Sequence, residues 1–148
     1  MPTYNNISQV RKAAEGIISI ALQNVVLVMA ESLTGYIQSE FYNKYTPKWY
    51  VRSGRFLNSV ETMVKKCYAE VFLGLDYSYK TITDDGSSVD VPAIEVAENA
   101  NLGIHGVYYQ VRREGSFWLE FTKEWTQDRI ADEIIKQCKA LGLNVYRV

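Results

Sequence analysis

Asn6 to Lys44, NISQVRKAAEGIISIALQNVVLVMAESLTGYIQSEFYNK, contains no proline, and only Gly16 and Gly35 weaken it as a helix. Each glycine costs about 1 kcal/mol relative to alanine, which a long helix tolerates. Ile7, Val10, Ala14, Ile17, Ala21, Val25 and Val28, then Leu33, Tyr36, Ile37 and Phe41, keep the three-four spacing of a helix face. One long N-terminal helix is therefore expected, with a kink permitted at either glycine. Its middle, Ile17 to Ala30, is apolar nearly all round and interrupted only by Ser19, Gln23 and Asn24. That run is shorter and more polar than the roughly 20 apolar residues a bilayer span requires, so no membrane partner is expected. A helix apolar on every side needs cover on every side. Its own sheet and helices are one source of cover, and neighbouring copies of the chain are the expected one.

The rest of the chain alternates strand and helix signals. Phe56 to Leu75 is rich in Val, Phe, Tyr and Thr, with Val60, Thr62 and Val64 alternating before the Lys65-Lys66 pair and Ala69, Val71, Leu73 and Leu75 after it. This reads as a hairpin or two meandering strands. Tyr77 to Ile82 adds a short strand, and Asp85-Gly86 marks an exposed turn within Thr83 to Ser88. Val91 to Asn101 is expected to be a short helix with Asp90 as N-cap and Pro92 in its first turn, closing near Gly103. Ser116 to Ala140 is helical, with the apolar stripe shifting between Trp118, Phe121, Trp125 and Ile130, Ile134, Cys138, Leu141. The shift predicts a break with Thr126 as a second N-cap. Gly142 ends that helix, and alternation over Leu143 to Val148 predicts a terminal strand. The expected class is α+β over a single domain, residues 1–148, with an antiparallel or mixed sheet against helices.

Charge is distributed unevenly. Residues 1–66 carry eight Lys/Arg against four Asp/Glu, residues 67–111 one against seven, and residues 112–148 seven against six. A net charge of −1 argues against a protein whose main role is coating nucleic acid. A basic front and an acidic middle suit a protein that registers against copies of itself, and equally suit plain solvated surface.

Chemistry is sparse. Cys67 and Cys138 lie far apart without CxxC spacing, and His105 is the single histidine, so neither a disulfide framework nor a zinc site is indicated. Gly103, Gly106 and Gly115 lack the strand-to-helix context of a phosphate loop. Asp84, Asp85 and Asp90 occupy a turn without calcium-loop spacing. His105, between glycines, has no nucleophile elbow or paired acid to work with, and reads as a loop histidine. No catalytic residue, cofactor or metal is expected, and the protein is not expected to be an enzyme. The N-terminus lacks a basic region followed by an apolar run and cleavage site, which makes a cytoplasm the expected place of assembly.

The most contact-prone segment joins the long helix to the first strand: Tyr45-Thr46-Pro47-Lys48-Trp49-Tyr50-Val51-Arg52-Ser53-Gly54-Arg55-Phe56-Leu57. Pro47 fixes its own φ, and Gly54 admits backbone a β-carbon forbids. Lys44, Lys48, Arg52 and Arg55 could meet phosphates while Tyr45, Trp49 or Tyr50 stacks on bases. Trp49, Tyr50 and Phe56 could instead be core anchors or interface residues, where aromatics and Arg are enriched. The interface reading is preferred, with Tyr45, Pro47, Trp49, Tyr50, Arg52, Gly54 and Arg55 as its candidate residues.

This connector resembles the Tyr-x-Pro-x-x-Tyr-x-Arg-x-Gly segment of small tail-completion or head-tail joining proteins of tailed bacteriophages. The likeness extends to the long preceding helix, the following strands, Gly103-Ile104-His105-Gly106 and the closing Gly142-Leu143-Asn144-Val145. It implies a non-enzymatic virion part of the neck: a homo-oligomeric, six-fold-compatible ring between the portal-side adaptor and the tail terminator or tube. DNA would then be contacted, if at all, non-specifically in the lumen. The alternative is a small DNA-contacting or tail-terminator module of a phage or phage-tail-like particle.

Overall fold

A computed structural model describes residues 5–44, 53–83, 85–102 and 116–147. Helix α1 spans Ile7–Ile37, followed by strands β1 Val60–Lys65, β2 Tyr68–Leu73, β3 Ser78–Ile82 and β4 Ser88–Pro92, then α2 Ala93–Asn101, α3 Phe117–Glu124 and α4 Gln127–Ala140. The strands form two separate two-stranded antiparallel sheets, β1–β2 and β3–β4. The class is α+β, as the sequence predicts.

The start of α1 is fixed locally. Asn6 Oδ1 accepts from Gln9 N at 2.9 Å, and Gln9 Oε1 reaches back to Asn5 N at 2.8 Å. The Asn5 N–H is thereby satisfied, and the Gln9 N–H, which also reaches Asn6 O at 3.2 Å, gains a second acceptor. At the other end the helix widens into a π turn, Gln38–Tyr42, with Asn43 N bonded to Gln38 O at 2.8 Å. Together the two segments make the long helix predicted from Asn6 to Lys44. Counted over Ile7–Tyr42, it is long and apolar enough by length and composition to cross a membrane, which the shorter run Ile17 to Ala30 is not. Of the most apolar window of that helix 17 % is buried inside the protein, and Ala21, Val25 and Val26 are the buried residues of its middle.

Two compact units emerge from the contacts: Met1–Glu31 with Thr62–Val71 and Glu124–Val148, and Ser32–Glu61 with Phe72–Lys123. In the first, Ala21, Val25, Val26, Trp125 and Cys138 are buried, and Asn24 Nδ2 bonds Gln137 Oε1 on α4 at 3.1 Å. Lys66, at φ +35 in the turn between β1 and β2, reaches Glu15 at 3.2 Å. The break before α4 is the predicted one, for Thr126 Oγ1 accepts from Arg129 N at 3.3 Å. Arg129 also pairs with Glu124 at 2.9 Å and lies 4.6 Å from the Trp125 ring centre. At the end of α4, Gly142 at φ +87 lets its own N–H reach Lys139 O (3.0 Å) and Leu143 N reach Cys138 O (2.9 Å). Both bonds satisfy carbonyls that the last helical turn leaves open.

The predicted terminal strand does not form: residues 143–147 are irregular. Side-chain charge holds this segment instead, because Arg147 pairs with Asp128 and approaches Asp132 at 3.9 Å, while Lys139 sits 5.3 Å from the Tyr146 ring.

In the second unit Leu33, Ile37, Phe56, Phe117 and Phe121 are buried with Ala93, Ala97 and Ala100 of α2. The alanines recur at helical spacing, so α2 presents a flat face that packs closely. Phe56 stands edge-on to Phe41 and to Phe117, each at 5.5 Å between centroids. β3 and β4 pair with Ser78 opposite Pro92 and Ile82 opposite Ser88.

Strand β4 corrects the expectation that Asp90 caps a helix. Asp90 lies in the ladder opposite Lys80, with Val89 and Val91 on either side, and β-branched residues beside an oppositely charged cross-strand pair favour strand. The helix therefore begins at Ala93, with Pro92 at φ −55 and ψ 138 in the capping position. The Thr83–Ser87 turn forms as expected. Gly86, at φ +81, donates to Thr83 O at 2.9 Å, and Asp85 accepts from the Thr83 hydroxyl and from Ser87 N. Those bonds, the Thr83 hydroxyl foremost, pull the Asp85 carboxyl down to about 2.

Candidate protein-interaction surface

Of the seven connector residues proposed from sequence, Tyr45, Pro47, Trp49, Tyr50 and Arg52 lie outside the described residues, as does His105. Gly54 and Arg55 are described. Gly54, at φ +73, turns the chain so that its carbonyl accepts from Asn58 N at 3.2 Å. Arg55 follows with its side chain exposed and its guanidinium 4.0 Å from the centre of the Tyr77 ring.

That stack continues inward. Tyr77 and Tyr79 share a hydroxyl contact of 3.1 Å with ring centroids 5.3 Å apart. Burial, then the Tyr77 hydroxyl, pushes the Tyr79 phenol well above its ordinary range. Leu57 N donates to Tyr42 Oη at 3.4 Å, tying the exit of the connector to the π turn at the end of the long helix. The final residues of the connector are thus anchored by a cation on an aromatic ring, a left-handed glycine and a tyrosine hydroxyl. Sequence reasoning chose Arg55 but missed its partners; Tyr77 and Tyr79, two apart and so on one side of an extended chain, were the signal available.

Phe56, left open between core anchor and interface residue, is core at 2 % exposed. Of the fourteen large apolar residues exposed among the described residues, five lie on α1. Ile7, Val10, Ile20, Leu27 and Val28 are all exposed, Ile20 and Leu27 each at 48 %. Within the apolar run Ile17 to Ala30, Ala21, Val25 and Val26 are buried, while Ile20, Leu27 and Val28 are exposed.

Among the described residues no group of three or more His, Cys, Asp or Glu is placed to hold a metal ion. Cys67 is an exposed free thiol, and Cys138 a buried one whose pKa burial raises. Glu15 is the most engaged carboxylate on α1, held below its ordinary range by Lys66 and then Arg11. It bridges two cations on the surface, an arrangement ordinary for a solvated helix face.

A profile of the YomN family matches residues 6–141, from the first turn of α1 to the end of α4. The chain belongs to the YomN family. The family is phage-derived, named for a protein of a Bacillus prophage, and membership points to a phage origin for this chain. The matched span includes the connector and both units, so the relationship concerns the whole fold and not one motif. No curated protein and no solved structure matches the chain.

Proposed function

We propose that this protein is a structural, non-enzymatic part of a phage particle, a ring-forming tail-completion or neck component joining the head to the tail. The observation that carries the reading is the uncovered apolar face of α1, with Ile20 and Leu27 half exposed in the middle of a long helix. Half-exposed apolar side chains in the middle of a long helix suit a protein–protein contact. Membership of a phage-derived family supplies the context in which such contact is made. The basic, aromatic connector supplies a second contact element, with Trp49, Tyr50, Arg52 and Arg55 meeting a neighbouring subunit or the adaptor.

The test is genetic and visual. The double variant Trp49→Ala, Arg52→Ala, complemented into a phage lacking the wild-type gene, is expected to yield a folded protein together with separate filled heads and free tails in electron micrographs. Joined, infectious particles at wild-type yield from that variant would refute the connector's role in assembly.

A further inference from the structure

Helix α1 carries on its outer side Lys12, Gly16, Ile20, Gln23, Leu27 and Glu31, which follow one another at three-four spacing. Lys12, Gly16, Ile20, Gln23, Leu27 and Glu31 are all exposed. Neither Lys12 nor Glu31 has an ion-pair partner among the described residues. The two charges bound the apolar stripe about 28 Å apart, nineteen residues at the helical rise.

We infer that this stripe is a self-complementary docking surface, and that its occupant is the same stripe of a second copy running antiparallel. A two-fold axis between Ala21 and Leu22 places Lys12 of each copy opposite Glu31 of the other. The same register puts Leu27 opposite Gly16, and Ile20 opposite Gln23. Charge selects this arrangement over the parallel one, which would set Lys12 against Lys12 and Glu31 against Glu31. Shape agrees with charge. A β-carbon built on Gly16 would meet nothing within 4 Å, and Gly16 lines an open surface hollow together with Lys12, Glu15, Ser19 and Lys66. Leu27, one of the two large apolar residues of the stripe, thus faces Gly16, its smallest. Because the contact is isologous, it closes on two copies.

Such a dimer differs from the head-to-tail contacts of a ring, and goes beyond the neck reading. It is a form of the free protein, in which each α1 shields the other before assembly, and its failure leaves the neck reading standing.

The experiment is sedimentation equilibrium of the full-length protein from about 1 to 100 μM, with Lys12→Glu, Glu31→Lys, the double swap, Leu27→Asp and Gly16→Leu, each checked for native circular dichroism. The wild type is expected to dimerise. Each single charge variant, which creates two like-charge pairs, weakens the dimer about tenfold or more, and the double swap restores it to within about threefold. Leu27→Asp and Gly16→Leu shift the protein to monomer. Three results overturn the inference: a wild-type monomer throughout the range, an oligomer indifferent to the charge variants, or a wild-type monomer that floats with phosphatidylglycerol–phosphatidylethanolamine vesicles, which would make lipid the occupant. If Leu27→Asp does not fold, the charge-swap rescue decides alone.

Discussion

Replacing Phe56 by alanine tests whether the exit of the connector is part of the core or part of a contact surface. Phe56 is 2 % exposed and stands edge-on to both Phe41 and Phe117 at 5.5 Å. Truncating a buried phenylalanine costs about 3 to 5 kcal/mol, and two ring pairs contribute about 0.5 to 1.5 kcal/mol each beyond area burial, which places this site in the upper part of the range, about 4 to 5 kcal/mol. Domains of this size are stable by roughly 5 to 15 kcal/mol, so the variant is expected to lose a large share of its stability. Urea unfolding followed by far-ultraviolet circular dichroism measures the loss, and Phe56→Leu, which keeps most of the volume but loses both ring pairs, is expected to cost less than the Ala variant, about 1 to 3 kcal/mol. An Ala variant within about 1 kcal/mol of the parent, with assembly impaired instead, would show that the aromatic belongs to an interface and that the core described above is wrong at its centre.

Other perturbations follow from local geometry. Thr126→Ala removes the acceptor for Arg129 N and is expected to destabilise the protein by about 1 kcal/mol in thermal or urea unfolding, with Thr126→Ser close to neutral. Gly142→Ala forces a β-carbon into a backbone at φ +87 and is expected to cost about 1 to 2 kcal/mol, whereas Gly16→Ala, in open helix, is expected to be neutral to stabilising. The Asp85 carboxyl is expected to titrate near 2 in a carboxyl-detected NMR experiment. Because its folded pKa is depressed, its support for the Thr83–Ser87 turn is complete above about pH 4 and lost as pH falls towards 2. A midpoint near 4 would mean that the turn bonds are not made in solution.

Features set by neighbouring residues were legible in the sequence. The start of α1, the hairpin around Lys66-Cys67, the break at Thr126 and the stop at Gly142 each depend on hydrogen bonds spanning a few positions. What failed depended on partners elsewhere in the chain. Asp90-Val91-Pro92 carries the chemistry of a helix start, and only pairing with β3 makes it a strand. Leu143 to Val148 alternates as a strand would, yet Arg147 and Tyr146 engage α4 through charge and ring contacts in place of a ladder. The surplus of apolar residues on α1 was visible from composition, because a chain this short cannot wrap a helix on all sides. Which face stays open was not visible, since that depends on where α4 docks through Gln137. The connector showed its chemistry but not its geometry: nothing in Arg55 itself says that Tyr77 lies beneath it.

The central claim, a structural part of the phage particle at the junction of head and tail, is tested most directly by purifying particles from an induced host. Quantitative mass spectrometry measures copy number, and antibody-gold electron microscopy measures position. The account expects a fixed, low multiple of copies per particle with gold confined to the neck. A protein absent from purified particles, or present only in the soluble lysate at no fixed ratio to the capsid, contradicts it.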